Sequence, residues 1–401
     1  MMVKSFDETL VQARKPCLTA LNPEAISCIS SVSPQSRISP IYRALSLLFL
    51  ATFALPTFSA DSALEVALSL APDPLFIERM SDAQHLNFDH LVENRSDVAI
   101  NIDRIELSVM DRDGKLLLRR FVDGNGVRPS IEAFGERRIE VGKTRTVFNP
   151  FHPLANELDL ATLRFQFDVS NADGSRRLQQ FIEVKLRAYC NHADYFLPVI
   201  GLIVNHDGHD VLGHHRRFDV QFEPIAQMEC KRNAMRYSSD FVHVGASGAM
   251  SKGEGTDNAN WFSFGKPVSA IGDGVVVAVE NSQPDNRQFD QSKLATDRVA
   301  LFGNYVVIDH GGGEFGVYAQ TQLDSVQVNV GETVKSGQAI ASIGASGGAS
   351  FPHLHFQLQN GLDRDAEALP SYFNKFARVL GERRVARERA SIDSGEIVEA
   401  D

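Results

Sequence analysis

Between Gly265 and Gly344, glycine recurs at the ends of short runs rich in β-branched residues, and this punctuation restricts the fold more than any other feature of the chain. Gly265-Lys266-Pro267-Val268 leads into Ala270-Ile271-Gly272-Asp273-Gly274-Val275-Val276-Val277-Ala278-Val279. Gly303-Asn304-Tyr305-Val306-Val307-Ile308-Asp309-His310-Gly311 precedes Phe315-Gly316-Val317-Tyr318-Ala319, and Val328–Val334 and Gly337–Gly344 follow. Such runs between glycine turns predict a compact antiparallel β domain. After the small-residue run Gly344–Ser350 comes Phe351-Pro352-His353-Leu354-His355-Phe356-Gln357-Leu358. Strand alternation puts His353 and His355 on one face and Leu354 and Phe356 on the other. Imidazole nitrogen is a preferred zinc ligand, and a catalytic zinc site needs three protein ligands with one position open. Paired histidines also occur as ordinary polar residues on an exposed strand, so the pair alone does not decide for a metal.

With 401 residues, 43% of them hydrophobic, the chain has material for two globular cores. Its formal net charge of -11 argues against a duplex nucleic-acid binder, which needs a basic face against phosphates. Arg43 precedes the apolar run Ala44–Leu55, with Pro56 and the small residues Thr57, Ser59 and Ala60 behind it. The run is too short to span a bilayer comfortably and has the order of a secretory signal, which predicts export, to the periplasm. The alternative is an uncleaved segment anchoring the chain to the inner membrane. Cys17 and Cys28 fall in this leader, while Cys190 and Cys230 lie beyond it, where an oxidising compartment would let them pair.

From Leu64 to about Ala188, segments such as Val98–Ile102, Ile105–Val109 and Leu163–Val169 alternate apolar and polar residues. Turn signals at Asp111–Gly114 and Asn171–Gly174 separate them. The pattern predicts an immunoglobulin-like β-sandwich that serves as a spacer or docking module. The chain thus divides into a leader and signal (1–60), the sandwich (61–188), a second β domain (189–378) and a charged tail (379–401), read as a short helix fraying into solvent.

Most of the histidines lie between His192 and His355. His206–Arg217 is glycine-interrupted and reads as a loop, and Arg236–Val242 reads as a strand carrying Asp240. A carboxylate there is exposed, paired with an arginine, or bound to a cation, because burying it alone is costly.

Taken in order, Gly-x-Pro-Val-x-Ala, Gly-Asn-Tyr-Val-Val-Ile-Asp-His-Gly, Val-Gly-Glu-Thr-Val-Lys-Ser-Gly-Gln and Pro-His-Leu-His-Phe resemble the lysostaphin/LytM-type zinc metallopeptidases, which cut peptide cross-links in bacterial cell walls. The resemblance covers roughly residues 200 to 360. It implies a mainly β metallopeptidase domain holding Zn2+, acting on peptidoglycan or its peptides, with Asp240 and His355 as metal ligands and His353 as a catalytic group. In the family's short pattern the first ligand lies four residues before the Asp, where this chain has Arg236. A longer-spaced branch has it upstream, which points to His214 or His215 without choosing between them; pairing His215 with Asp219 competes.

A second departure is Gln320, in Val317-Tyr318-Ala319-Gln320, where the family has a catalytic His. Glutamine can donate a hydrogen bond to a developing oxyanion but cannot exchange a proton near neutral pH, and losing a positioned acid or base costs roughly two to four orders of magnitude in rate. His310 is a substitute to consider. The alternative reading is a catalytically degenerate member that acts as a cell-wall binding or regulatory module, with a regulatory protein partner left open. Val330–Gln338 also resembles the turn of biotinyl and lipoyl carriers, but that reading leaves Lys335 unframed and the His pair unexplained.

Overall fold

The computed structural model describes residues 63–400 apart from 80–82, 152, 211–212, 227, 231, 296, 298–299 and 364. The leader with Cys17, Cys28 and the apolar run at 44–55 lies outside the described residues. Among the described residues, no helix is long and apolar enough to cross a membrane. The described residues are mainly β, as expected, with one α-helical turn among them at Glu223–Ala226.

Residues 63–188 build the sandwich. One sheet pairs Val66–Ala71, Asp89–Asn94 and Thr144–Phe148; the other orders Arg177–Val184, Thr162–Asn171, Ile100–Met110 and Leu116–Val122. Alternation decides which side chains meet. In Thr162–Asn171, Leu163, Phe165, Phe167 and Val169 all point inward, joining Val92, Ile102, Leu107 and Val147 in one core.

The second region is organised by an eleven-stranded sheet. Its central strands run in the order Asn304–Asp309, Phe315–Thr321, Leu354–Gln359, Ser239–His243 and Gly201–Asp207. Leu354, Phe356 and Leu358 enter the main core with Phe241, Val306, Ile308 and Tyr318, so the polar residues of the same strand face the other way. The small-residue run before that strand also has a steric cause. A Cβ on Gly347, whose φ is +60°, would lie 2.4 Å from the Gly303 backbone nitrogen.

One expectation is corrected. The charged segment 379–401 is no tail: Phe373–Leu380, Arg383–Ala390 and Ile397–Ala400 are strands of the main sheet. Ile397–Ala400 pairs with Gly201–Asp207, and Val398 is fully buried. The charges of Arg383–Ala390 hide its strand character because it forms the sheet edge, where charged residues deter pairing with another chain. Nor does a bond join Cys190 to Cys230; the Cys230 thiol faces the Met228 carbonyl at 3.8 Å.

The sandwich and the second region form one compact unit, residues 62–401, with polar groups buried where they meet. Arg236 is 1% exposed, and its guanidinium donates to Asp89 of the sandwich (2.6 Å) and to Glu367 of the second region (3.0 Å). His209 Nδ1 lies 2.9 Å from the Glu78 carboxylate, both buried. Burial opposes a charge on His209, but attraction to Glu78, with help from Asp393 and Asp210, wins and raises its pKa to about 9.

A raised folded-state pKa adds stability that is complete below the unfolded value of 6.5 and is lost as pH rises through 9. The shift corresponds to about 3 kcal/mol. Denaturant titrations between pH 6 and pH 10 should therefore show unfolding free energy falling across that window. His209→Gln should flatten the fall; a variant with the wild-type slope would show that the pair contributes nothing.

Candidate metal centre

Asp240 sits in the strand Ser239–His243, opposite His355 in the neighbouring strand and opposite Asp207 on its other side. It is buried, and its Oδ1 faces imidazoles: His355 Nδ1 at 3.0 Å, His353 Nε2 at 3.5 Å and His215 Nε2 at 3.6 Å. Burial acts to raise the Asp240 pKa, yet attraction to His215 and His353 and a hydrogen bond with His355 hold it far below the usual carboxylate range. Burial drives the His215 pKa down to about 3.

The histidines are oriented by their second nitrogens. His355 Nε2 lies 2.9 Å from Gln357 Oε1, an oxygen that also accepts from Ser238 Oγ at 3.4 Å, while Gln357 Nε2 donates to Gln359 Oε1 and Gln359 Nε2 to the Gly361 carbonyl. This ladder takes up Nε2 and leaves Nδ1 as the nitrogen that faces Asp240. His353 Nδ1 donates to the Phe351 carbonyl at 2.8 Å, which leaves its Nε2 lone pair facing inward. Burial pushes the His353 pKa down. Phe302 stacks against His355 with ring centroids 5.9 Å apart, and Phe351 stacks on Trp261 at 4.9 Å.

At 3.5 and 3.6 Å, neither His353 nor His215 is hydrogen-bonded to Asp240. Three imidazole nitrogens gathered around a buried carboxylate oxygen are the donor types that zinc takes. Ligand atoms about 2.1 Å from a tetrahedral zinc lie about 3.4 Å from one another. The spacings from Asp240 to His355 and His215, 3.0 and 3.6 Å, bracket that value. By these two spacings His215, Asp240 and His355 are the candidate ligands of Zn2+, with His353 beside them.

His214 is placed differently. Its side chain is 65% exposed, its Nδ1 pairs with the Asp207 carboxylate, and its backbone N–H donates to Asp207 at 2.9 Å. The hydrogen bond to Asp207 raises the His214 pKa. Asp207, His214, His215 and Asp240 each offer a donor atom within 4.8 Å of the others, so Asp207 and His214 line the rim of the same centre. Sequence pattern does not single out Asp207, because His206–Arg217 reads as a loop. The strand Gly201–Asp207 in fact extends into it and sets Asp207 across from Asp240. Gln357 is legible by alternation, two residues after His355 on the same face.

The competing candidates have other partners. Asp219 accepts from Thr146 Oγ1 at 2.9 Å and from the Gln221 backbone, and His215 faces Asp240 instead. His310 is spent on the Asp273 carbonyl at 2.9 Å and the Tyr318 hydroxyl at 3.4 Å, away from the histidine cluster. Lys335 pairs on the surface with Asp273. Gln320 follows Ala319, which stands opposite His355. A register shift leaves Gln320 unpaired against Asn304–Asp309, its φ is +62°, and its buried Oε1 has no hydrogen-bond partner among the described residues. Bulges of this kind re-aim side chains beside functional sites.

Loading the purified protein with zinc should give about one equivalent per chain, lost in Asp240→Ala and His355→Ala and kept in His214→Ala. Loss in His214→Ala with retention in His215→Ala would exchange the roles of the two histidines.

Residues 253–366 match the model of Peptidase family M23. Over 104 residues the chain is 36% identical to the peptidoglycan DD-endopeptidase ShyB of Vibrio cholerae, covering 26% of this chain and 20% of that protein. Over 86 residues it is 33% identical to the murein hydrolase activator EnvC of Escherichia coli, covering 21% and 20%. The matched stretches thus span about a fifth of the length of these relatives. Among solved structures, the catalytic domain of the antimicrobial peptidase lysostaphin from Staphylococcus simulans covers 28% of this chain and 79% of that chain at 26% identity and a TM-score of 0.20. A zinc containing peptidase from Vibrio cholerae covers 70% and 84% at 15% identity and a TM-score of 0.24. The likeness to peptidase family M23 lies in residues 253–366.

Proposed function

We propose that this protein is a zinc-dependent endopeptidase that hydrolyses peptide cross-links of bacterial peptidoglycan after export, with His215, Asp240 and His355 holding the metal. The observation that carries the reading is the convergence of His215, His353 and His355 on the buried Asp240 carboxylate. Relatives named as peptidoglycan DD-endopeptidases supply the substrate class. Bound zinc supplies a Lewis acid that polarises a carbonyl and lowers the pKa of water to about 7. The chain's own residues do the rest. His353, its Nδ1–H fixed on Phe351, presents Nε2 to accept a proton from the attacking water or to orient it. Gln320 offers a carboxamide N–H to the oxygen on which negative charge develops. The buried surroundings of His353, His355 and Asp240 strengthen each of these interactions.

Gln320 also supports a second reading, a cell-wall regulatory module that keeps the metal but not the rate, and a relative named as a murein hydrolase activator fits it. The two part on one experiment. Zinc-loaded full-length protein incubated with cross-linked murein should release shorter peptides in a chelator-sensitive manner, and Gln320→His should raise the rate by about 10² to 10⁴ if a missing proton donor limits it. Complete inertness of both zinc-loaded proteins would exclude the endopeptidase. A wild type as fast as Gln320→His would remove the support for the regulatory module.

A further inference from the structure

We propose that the N-terminal sandwich is a working part of the metal centre, and that Arg216 is the positioning residue through which it fixes the His215 imidazole. The inference rests on the reading of His215 as a metal ligand. His215 is the one ring of the cluster whose second nitrogen is unsupported: among the described residues its buried Nδ1 has no hydrogen-bond partner, whereas His353 leans on Phe351 and His355 on Gln357. Ligand histidines are normally held by such an outer hydrogen bond. Lacking one, the orientation of His215 depends on its backbone.

That backbone belongs to no sheet. Among the described residues none between Asp207 and Ser239 pairs in a strand, and His215 opens a single 3-10 turn, His215–Arg217. Asn233 and Arg216 hold the turn, and the Asp207 carboxylate holds the residue before it, accepting from the His214 backbone N–H at 2.9 Å. Asn233 Nδ2 donates to the His215 carbonyl at 3.0 Å. Arg216, 3% exposed, points into the sandwich, its Nε donating to Asn87 Oδ1 at 3.2 Å and its Nη2 to the Asn149 carbonyl at 2.7 Å.

These acceptors are themselves anchored. Asn149 is tied to the Leu86 and Phe88 carbonyls by its side-chain amide and its backbone N–H. Asn87 Nδ2 also donates to the His209 and Arg236 carbonyls, and Asp89 grips the Arg236 guanidinium four residues before Asp240. Residues 86–89 and 149 of the sandwich therefore set the turn that carries His215 and the segment that leads into Asp240 against one another. Arg236, at the position where the short family pattern has its first ligand, has become a fastener of this platform. A guanidinium fork can reach Asn87 and Asn149 together; a lysine ammonium on its flexible stem cannot reproduce that geometry.

The test is metal affinity and ligand geometry in full-length Arg216→Lys and Asn87→Ala, measured by zinc competition with a chromophoric chelator and by the visible spectrum of the cobalt(II)-substituted protein. Val92→Ala, a cut in the sandwich core at a residue whose side chain makes none of these hydrogen bonds, controls for lost stability. Zinc Kd should weaken by about 10- to 100-fold in Arg216→Lys and Asn87→Ala, as for other outer-sphere changes. The cobalt bands should shift, while Val92→Ala should stay within about twofold of wild type by the same standard. If Arg216→Lys does not fold, Asn87→Ala decides alone. Wild-type Kd and cobalt spectrum in the network variants, or an equal loss in Val92→Ala, overturns the proposal. A wild type that takes no zinc overturns the metal-site reading, and this inference with it.

Discussion

A carboxylate cannot stay ionised inside a protein without compensation, and the centre of this structure is a carboxylate, Asp240, buried with three imidazoles around one of its oxygens. Strand pairing delivers Asp240 and His355 side by side. The apolar alternation of Leu354, Phe356 and Leu358 aims His355, Gln357 and Gln359 away from the core, where the amides form the ladder that fixes the imidazole. Hydrophobic burial on one face of the sheet thereby sets donor chemistry on the other.

The same requirement for compensation explains Arg236. Burial raises the pKa of both Asp89 and Glu367, and the arginine between them is what lets them share the interior. Such a cluster adds little net stability compared with apolar packing, but removing one member leaves an unpaired buried charge at a cost of about 3–5 kcal/mol. What it provides here is register, because Asp89 belongs to the sandwich and Arg236 leads into the Asp240 strand.

Much of this is legible in the sequence. Period-two alternation shows the faces of the His353–His355 strand and of the sandwich strands, since each residue's direction is set by its neighbours. The choice between His214 and His215 is not legible, because their turn lies in no sheet and is placed by contacts with Asn233, Asn87 and Asn149, which are far away in sequence. Gly213 belongs to the same problem: a Cβ there would lie 1.9 Å from the Gly208 carbonyl oxygen, a close backbone crossing that pattern alone does not announce. The C-terminal strands escape a sequence reading for the opposite reason. An edge strand such as Arg383–Ala390 carries charge on its solvent side, and local charge density outweighs the few inward residues in any reading by composition.

In the proposed mechanism Gln320, next in sequence to Ala319 of the Ala319–His355 pair, would separate metal binding from proton transfer. The central claim concerns the donor set around Asp240, and diffraction from zinc-soaked crystals at the zinc absorption edge tests it most directly. The account predicts one anomalous peak bonded to His215 Nε2, Asp240 Oδ1 and His355 Nδ1. A peak held by Asp207 and His214 away from Asp240, or no peak at Asp240 at saturating zinc, would contradict it.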